Sequence, residues 1–166
     1  FDLRKPKLGE MMKHPNNYGT STFLATDQHL DEIIQPTENE YLDLISEGPL
    51  PPNPTELIAS SKTGVMIHQL RPFYDYIIID TSPVGIVPDS KLIMKHADLN
   101  LLVVRQFKTR KNELIHTLKS LSNQQGQNFH IVINDFSPKN GEYNYMYKYY
   151  SDQPQDKESK MLSWFE

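Results

Sequence analysis

A chain of 166 residues is large enough for one domain with its own core. A formal charge of −4 and a pI near 5.9 argue against nucleic acid as a partner. The absence of cysteine excludes disulfides and thiolate zinc sites, and the longest apolar runs are far too short to cross a bilayer. No secretory signal is visible, and a start at Phe1 rather than Met reads as a piece of something longer.

Residues 1–40 are rich in loop-formers, with a short helix expected around Thr20–Ala25. Leu42 to Ile45 reads as a short strand. Asn53-Pro54-Thr55-Glu56 carries three helix-start signals: Asn as cap, Pro at the first helical position and Glu soon after. The helix should run from about Pro54 to Leu70, with Gly64 as its candidate break. Tyr76–Ile79 and Leu101–Val104 lack polar alternation, and Phe129–Ile133 is nearly as apolar. Such β-branched runs suit strands covered on both faces. Between them, Asp89 to His96 reads as a helix capped by Asp89. Thr109 to Gln124 places Leu114, Leu118 and Leu121 on one helical face, with Gly126 as a stop. Strand and helix in alternation predict a wound α/β sheet with right-handed crossovers. Residues 1–136 form the expected domain, and 137–166 a flexible tail without a core.

Tyr74 to Pro83 is the sharpest local feature: a buried strand ending in Asp80 would present a carboxylate at the carboxyl edge of the sheet. A Walker B aspartate is presented to a nucleotide's magnesium in this way, although a strand-ending Asp can also be a plain turn signal. Thr81-Ser82-Pro83 would follow it as a rigid polar turn lining a phosphate pocket. Asp2-Leu3-Arg4-Lys5-Pro6 sets an acid beside two cations, and reads either as part of a site or as an exposed charged terminus. Asn134 ends the third apolar run, where its amide could read a base edge or serve an ordinary loop. The six histidines show no spacing that puts two ligands on one face, so no metal is assigned to them.

Five of the nine tyrosines, Tyr143, Tyr145, Tyr147, Tyr149 and Tyr150, crowd into GEYNYMYKYY. Their hydroxyls can each accept a phosphate, which would turn a nearly neutral stretch strongly anionic. A period-2 edge strand with Tyr on one face is the other reading. The flanking Pro, Gly, Asn and Asp favour a mobile tail.

Together these residues resemble the cytoplasmic catalytic domain of bacterial tyrosine kinases attached to polysaccharide co-polymerases. Asp2 to Pro6 resembles the end of the family's Walker A′ motif, Asp-x-Asp-x-Arg, and Gly48 to Leu57 resembles its G-P-x-P-P-N-P-x-E-L segment. Tyr74 to Pro83 resembles its Walker B block. Asp89, Ala97-Asp98 and Val103-Val104-Arg105 fall where the family has similar residues, and the tyrosine cluster completes the pattern.

The resemblance implies a P-loop NTPase-like fold with a mostly parallel sheet, and ATP with Mg2+ as cofactors. Asp2 and Asp80 would serve metal binding and catalysis, and Arg4, Thr81, Ser82 and Asn134 would hold the nucleotide. Neighbouring subunits of a homo-oligomer would phosphorylate one another's tyrosines. A membrane-anchored activator or co-polymerase region would be the partner, at the cytoplasmic face of the inner membrane, in control of capsule or exopolysaccharide export. Two further classes compete: a non-catalytic phospho-acceptor and assembly module, and a partition-type ATPase, which shares the Walker B strand but not the tyrosine tail.

One departure stands out. No G-x-x-x-x-G-K-S/T occurs in the sequence, so the backbone cradle and lysine for the phosphates are missing. The first Asp of Walker A′ is missing too. The chain therefore reads as a carboxy-terminal fragment, lacking the P-loop strand at the centre of the sheet and inactive by itself. Loss of that strand would leave two strands with unpaired backbone groups, each costing on the order of 1–3 kcal/mol.

Overall fold

A computed structural model describes residues 1–122 and 128–137. The tyrosine cluster Tyr143, Tyr145, Tyr147, Tyr149 and Tyr150, and nearly all of the expected tail, lie outside the described residues. The chain opens with α1 (Leu8–Met11) and α2 (Thr20–Ala25), the latter as expected, followed by a 3-10 turn at Leu30–Glu32. Two short strands, β1 (Gln35–Pro36) and β2 (Asp43–Leu44), pair antiparallel. The helical stretch after Asn53 is split into α3 (Pro54–Ala59) and α4 (Ser61–Leu70). The carboxyl half adds α5 (Asp89–Met94), β3 (Asn100–Arg105), α6 (Lys111–Ser122) and β4 (Phe129–Asn134).

β3 and β4 pair parallel, in register from Asn100 opposite Phe129 to Arg105 opposite Asn134. A parallel pair needs a crossover, and α6 supplies it. Its expected inner face is present: Leu121 is buried, with Leu114 and Leu118 half-buried. The fold class is thus the α/β one expected.

Three expectations need correction. Tyr76–Ile79 is not a ladder strand: among the described residues its backbone has no strand partner. Its side chains still alternate, Ile77 and Ile79 packing on the core while Tyr76 and Ile78 stand 83% and 92% exposed. A β-branched run makes a sheet strand only where a neighbour offers matching backbone groups. The helix break falls at Ser60, not at Gly64. Ser60 is extended (ψ 156°), with its hydroxyl donating back to the Leu57 carbonyl at 2.7 Å. Gly64 lies inside α4, where a side chain would begin 3.0 Å from His96 Cε1; it lets α4 meet that imidazole. Asp89, finally, is not the helix cap. Pro88 holds that position, and the Asp89 side chain is engaged elsewhere.

Leu3, Phe23, Leu24, Ile33, Ile58, Met66, Leu70 and Ile93 form the core, drawn from the amino-terminal segment, α2, the end of the 3-10 turn, α3, α4 and α5. The loop Ser46 to Pro49 is locked onto the start of α2. Thr20 and Ser21 N–H groups donate to the Ser46 and Glu47 carbonyls, both at 2.9 Å, and Ser21 Oγ donates to Pro49 O at 2.7 Å. The Asn16 amide bridges both backbone groups of Gly48. Gly48 sits at φ +77°, the left-handed region, and a side chain on Gly19 would begin 2.3 Å from Ser46 O.

Gly19→Ala should therefore destabilise the chain by about 1–3 kcal/mol, the usual cost of overpacking, because backbone cannot step aside as a side chain can. Thermal melting of the two proteins checks this. An unchanged melting temperature would mean that the two loops separate without loss.

Candidate functional site

The amino-terminal segment that resembles Walker A′ is held by two sets of bonds. Asp2 Oδ1 accepts the backbone N–H groups of Arg4 (3.1 Å) and Lys5 (3.2 Å), the turn a short acid makes with its own backbone. Its other oxygen has no part in that turn. Arg4 reaches inward: Nε donates to Asp89 Oδ2 at 2.7 Å, and Nη2 donates to Thr55 Oγ1 at 2.7 Å and to Asp89 Oδ1 at 3.3 Å. Thr55 Oγ1 donates to Asp89 Oδ1 at 2.7 Å. Three distant stretches of sequence so meet at one buried carboxylate.

The electrostatics follow. Burial pushes Asp89 upward, but hydrogen bonds from Arg4 and Thr55 and the charge of Arg4 outweigh it and hold the acid below its ordinary value. The Arg4 guanidinium is raised, chiefly by its hydrogen bond to Asp89. Arg4, expected to hold the nucleotide, has Nε and Nη2 engaged with Asp89 and Thr55.

Asp80 is exposed, at the end of the Tyr74–Asp80 segment. The charges of Asp80, Asp2 and Glu47 all act at the position of the Phe1 backbone nitrogen. Asp2 and Asp80 thus both neighbour the first residue. Glu47, buried against Gly9, joins them without any signal in the sequence beyond its neighbouring glycine. Thr81 is half-buried and Ser82 is buried. Ser82 Oγ has no partner among the described residues, while the Ser82 carbonyl accepts a hydrogen bond from Ser90 Oγ.

Asn134 belongs to a second group, at the carboxyl ends of β3 and β4. Its Oδ1 accepts the Asp135 N–H at 2.8 Å, and Asp135 in turn accepts from Arg105 Nε at 2.7 Å. A wide cleft of about 750 Å³ lies elsewhere, against Phe23, Leu30, Ile34, Val65, Phe73 and Tyr74. Tyr74 stands at the opposite end of its segment from Asp80, and its phenol donates to Asp43 Oδ2 at 2.6 Å. That bond, with burial and the Asp43 charge, pushes Tyr74 up to about 12.

No group of three His, Asp or Glu side chains among the described residues is arranged to hold a metal by itself. A magnesium that keeps several waters needs only one or two carboxylates together with phosphate, and the exposed Asp80 and the second oxygen of Asp2 are donors of that kind.

The chain is 34% identical to CapB of Staphylococcus aureus over 147 residues, 88% of this chain and 64% of that protein. Its identity to the tyrosine-protein kinase YwqD of Bacillus subtilis is 28%, over 87% of this chain and 61% of YwqD. Among solved structures, the chimerical protein CapA2B2 superposes with a TM-score of 0.76 at 32% identity, covering 82% of this chain and 61% of that one. The kinase domain of the Escherichia coli tyrosine kinase ETK gives a TM-score of 0.78 at 26% identity, covering 84% and 55%. The chain spans about three-fifths of the length of the curated relatives named here. No protein-family model matches it.

Because the folded state lowers the Asp89 pKa, its ionised form stabilises the fold fully above the ordinary value of 3.8. That contribution is lost as pH falls below 3.8 through the depressed value. Asp89→Asn should lower the melting temperature at pH 7 and narrow the difference between pH 7 and pH 3. Melting curves of both proteins across that range check it. A parallel acid loss in the two proteins would assign it to other carboxylates.

Proposed function

We propose that this chain, which belongs to the bacterial tyrosine-kinase family, supplies the acidic half of an ATP-dependent protein-tyrosine kinase site. The observation that carries this reading is that Asp2 and Asp80, the acids of the two resembling motifs, both lie near the first residue, in a chain whose relatives are tyrosine kinases. Asp80 would hold the metal through water, and Asp2 would present its free oxygen to the metal or to an incoming phenol. Bound Mg2+ would neutralise charge on the transferring phosphate. Thr81 and Ser82 would line the phosphate pocket, and Asn134 would meet the base. Phosphoryl transfer needs little beyond positioning and charge neutralisation, which is why so few side chains suffice.

The phosphate-binding backbone comes, in this reading, from a polypeptide segment other than these 166 residues. Two observations support it. The sequence has no G-x-x-x-x-G-K-S/T, and Tyr76 and Ile78 stand exposed on a segment that has no strand partner among the described residues. The tyrosines 143, 145, 147, 149 and 150 would be the acceptors, phosphorylated by neighbouring subunits of a homo-oligomer. No described helix is long and apolar enough to cross a membrane. Attachment to a membrane-anchored activator at the cytoplasmic face, and a role in capsule or exopolysaccharide export, belong to the same proposal. A non-catalytic assembly role is favoured for the chain in isolation by the missing cradle.

Two measurements test this. By calorimetry, a non-hydrolysable ATP analogue with Mg2+ should bind the 166-residue chain weakly or not at all, and bind tightly once the chain is extended at its amino end to the length of its relatives. Micromolar affinity in the shorter chain would overturn the division of the site. In the extended protein, Asp80→Asn should cut autophosphorylation by orders of magnitude without changing the melting curve, because the lost term is charge at the metal. Unchanged turnover would reduce Asp80 to a turn residue.

A further inference from the structure

We infer that the first residues of α5, with Thr55, form a positioning frame for both acids of the site: Asp89 and Thr55 fix Asp2 through Arg4, and Ser90 fixes the turn after Asp80. The inference rests on the kinase reading above and adds residues that hold the site without touching the nucleotide.

Asp89 is 1% exposed, and a buried carboxylate is tolerated only when paired and hydrogen-bonded. Both of its oxygens are taken, Oδ2 by Arg4 Nε and Oδ1 by Thr55 Oγ1 and Arg4 Nη2. Thr55 spends its single proton on Asp89 and accepts from Arg4 Nη2. A guanidinium is planar and rigid, so contacts with both Asp89 oxygens and with Thr55 fix its plane as well as its place. Arg4 is two residues from Asp2, and its own backbone N–H, with that of Lys5, holds Asp2 Oδ1. The chain of contacts thus runs from Asp89 through the Arg4 side chain to its backbone, and from there to the Asp2 carboxylate. The next residue of α5, Ser90, donates to the Ser82 carbonyl, two residues past Asp80. One helix start therefore sets the separation of two carboxylates that must share one metal. An isolated surface ion pair would have no such reach, and a capping acid would turn to its own helix rather than to Arg4.

The test uses the chain extended to the length of its relatives, with autophosphorylation measured against Mg2+ concentration and melting temperature recorded in parallel. Outer partners of metal-site groups typically change affinity 10–100-fold when removed. Asp89→Asn and Thr55→Val should each raise the half-maximal Mg2+ concentration by about tenfold, while Thr55→Ser, which keeps the hydroxyl, should stay near the unsubstituted protein. Leu121→Ala, which destabilises the fold at a distance, should lower melting and leave the Mg2+ midpoint unchanged. Should Asp89→Asn fail to fold, Thr55→Val carries the test alone. If Asp2→Asn shifts the Mg2+ midpoint but the folded frame variants lower only the melting temperature, the frame is purely structural and the inference falls while the kinase reading stands. If the unsubstituted protein shows no Mg2+-dependent transfer, the kinase reading falls and the inference with it.

Discussion

The carboxylate of Asp89 is the charge around which the rest of the site is arranged. A buried anion demands a cation and donors from whichever segments can reach it. Here they come from Arg4 at one end of the described chain and Thr55 at the start of α3. That demand pulls the amino-terminal segment across the core, so Leu3 is buried in one cluster with Ile58 and Ile93 while Asp2 is half-buried. Polar pairing and apolar packing therefore specify the same placement of residues 1–5, and consistency of this kind makes a single arrangement stable.

A second restraint comes from backbone rather than charge. Gly19 and Gly48 let two loops approach more closely than side chains permit, and Asn16 stitches the contact. The loop 46–49 leads directly into Pro51, Pro52 and Pro54, whose fixed φ leaves little freedom before α3 begins. Thr55 therefore reaches Asp89 from a rigid approach. Glu47, on the same loop, is buried with its carboxylate against Gly9.

The carboxyl half is built differently. β3 and β4 make a regular parallel pair, yet Leu101 and Val103 of β3 are each 57% exposed, and Tyr76 and Ile78 are more exposed still. Parallel strands ordinarily bury both faces, so apolar surface of this extent is unusual for a parallel pair. Asp80 closes the half-exposed Tyr76–Ile79 run. The chain spans about three-fifths of its relatives' length.

Local chemistry alone determined a good deal: the α2 helix at Thr20–Ala25, the proline-led start of α3, the amphipathic α6 and the parallel β3–β4 pair were legible from capping, periodicity and β-branched runs. Asp80 and Ser82 were legible as candidates because they follow an apolar run, and Asp2 through the resemblance of its segment to a Walker A′ motif. Only the tertiary structure decided where such residues spend their bonds. Asp89 looks like a cap in sequence because an acid at a helix start ordinarily meets that helix; it turns to Arg4 because an arginine 85 positions away offers a stronger partner. The run Tyr76–Ile79 looks like a strand because its residues favour one, but a ladder needs a second backbone, and no local pattern says whether one is beside it. The role of Gly64 likewise depends on what α4 packs against, the His96 ring, which lies 32 residues further along the chain.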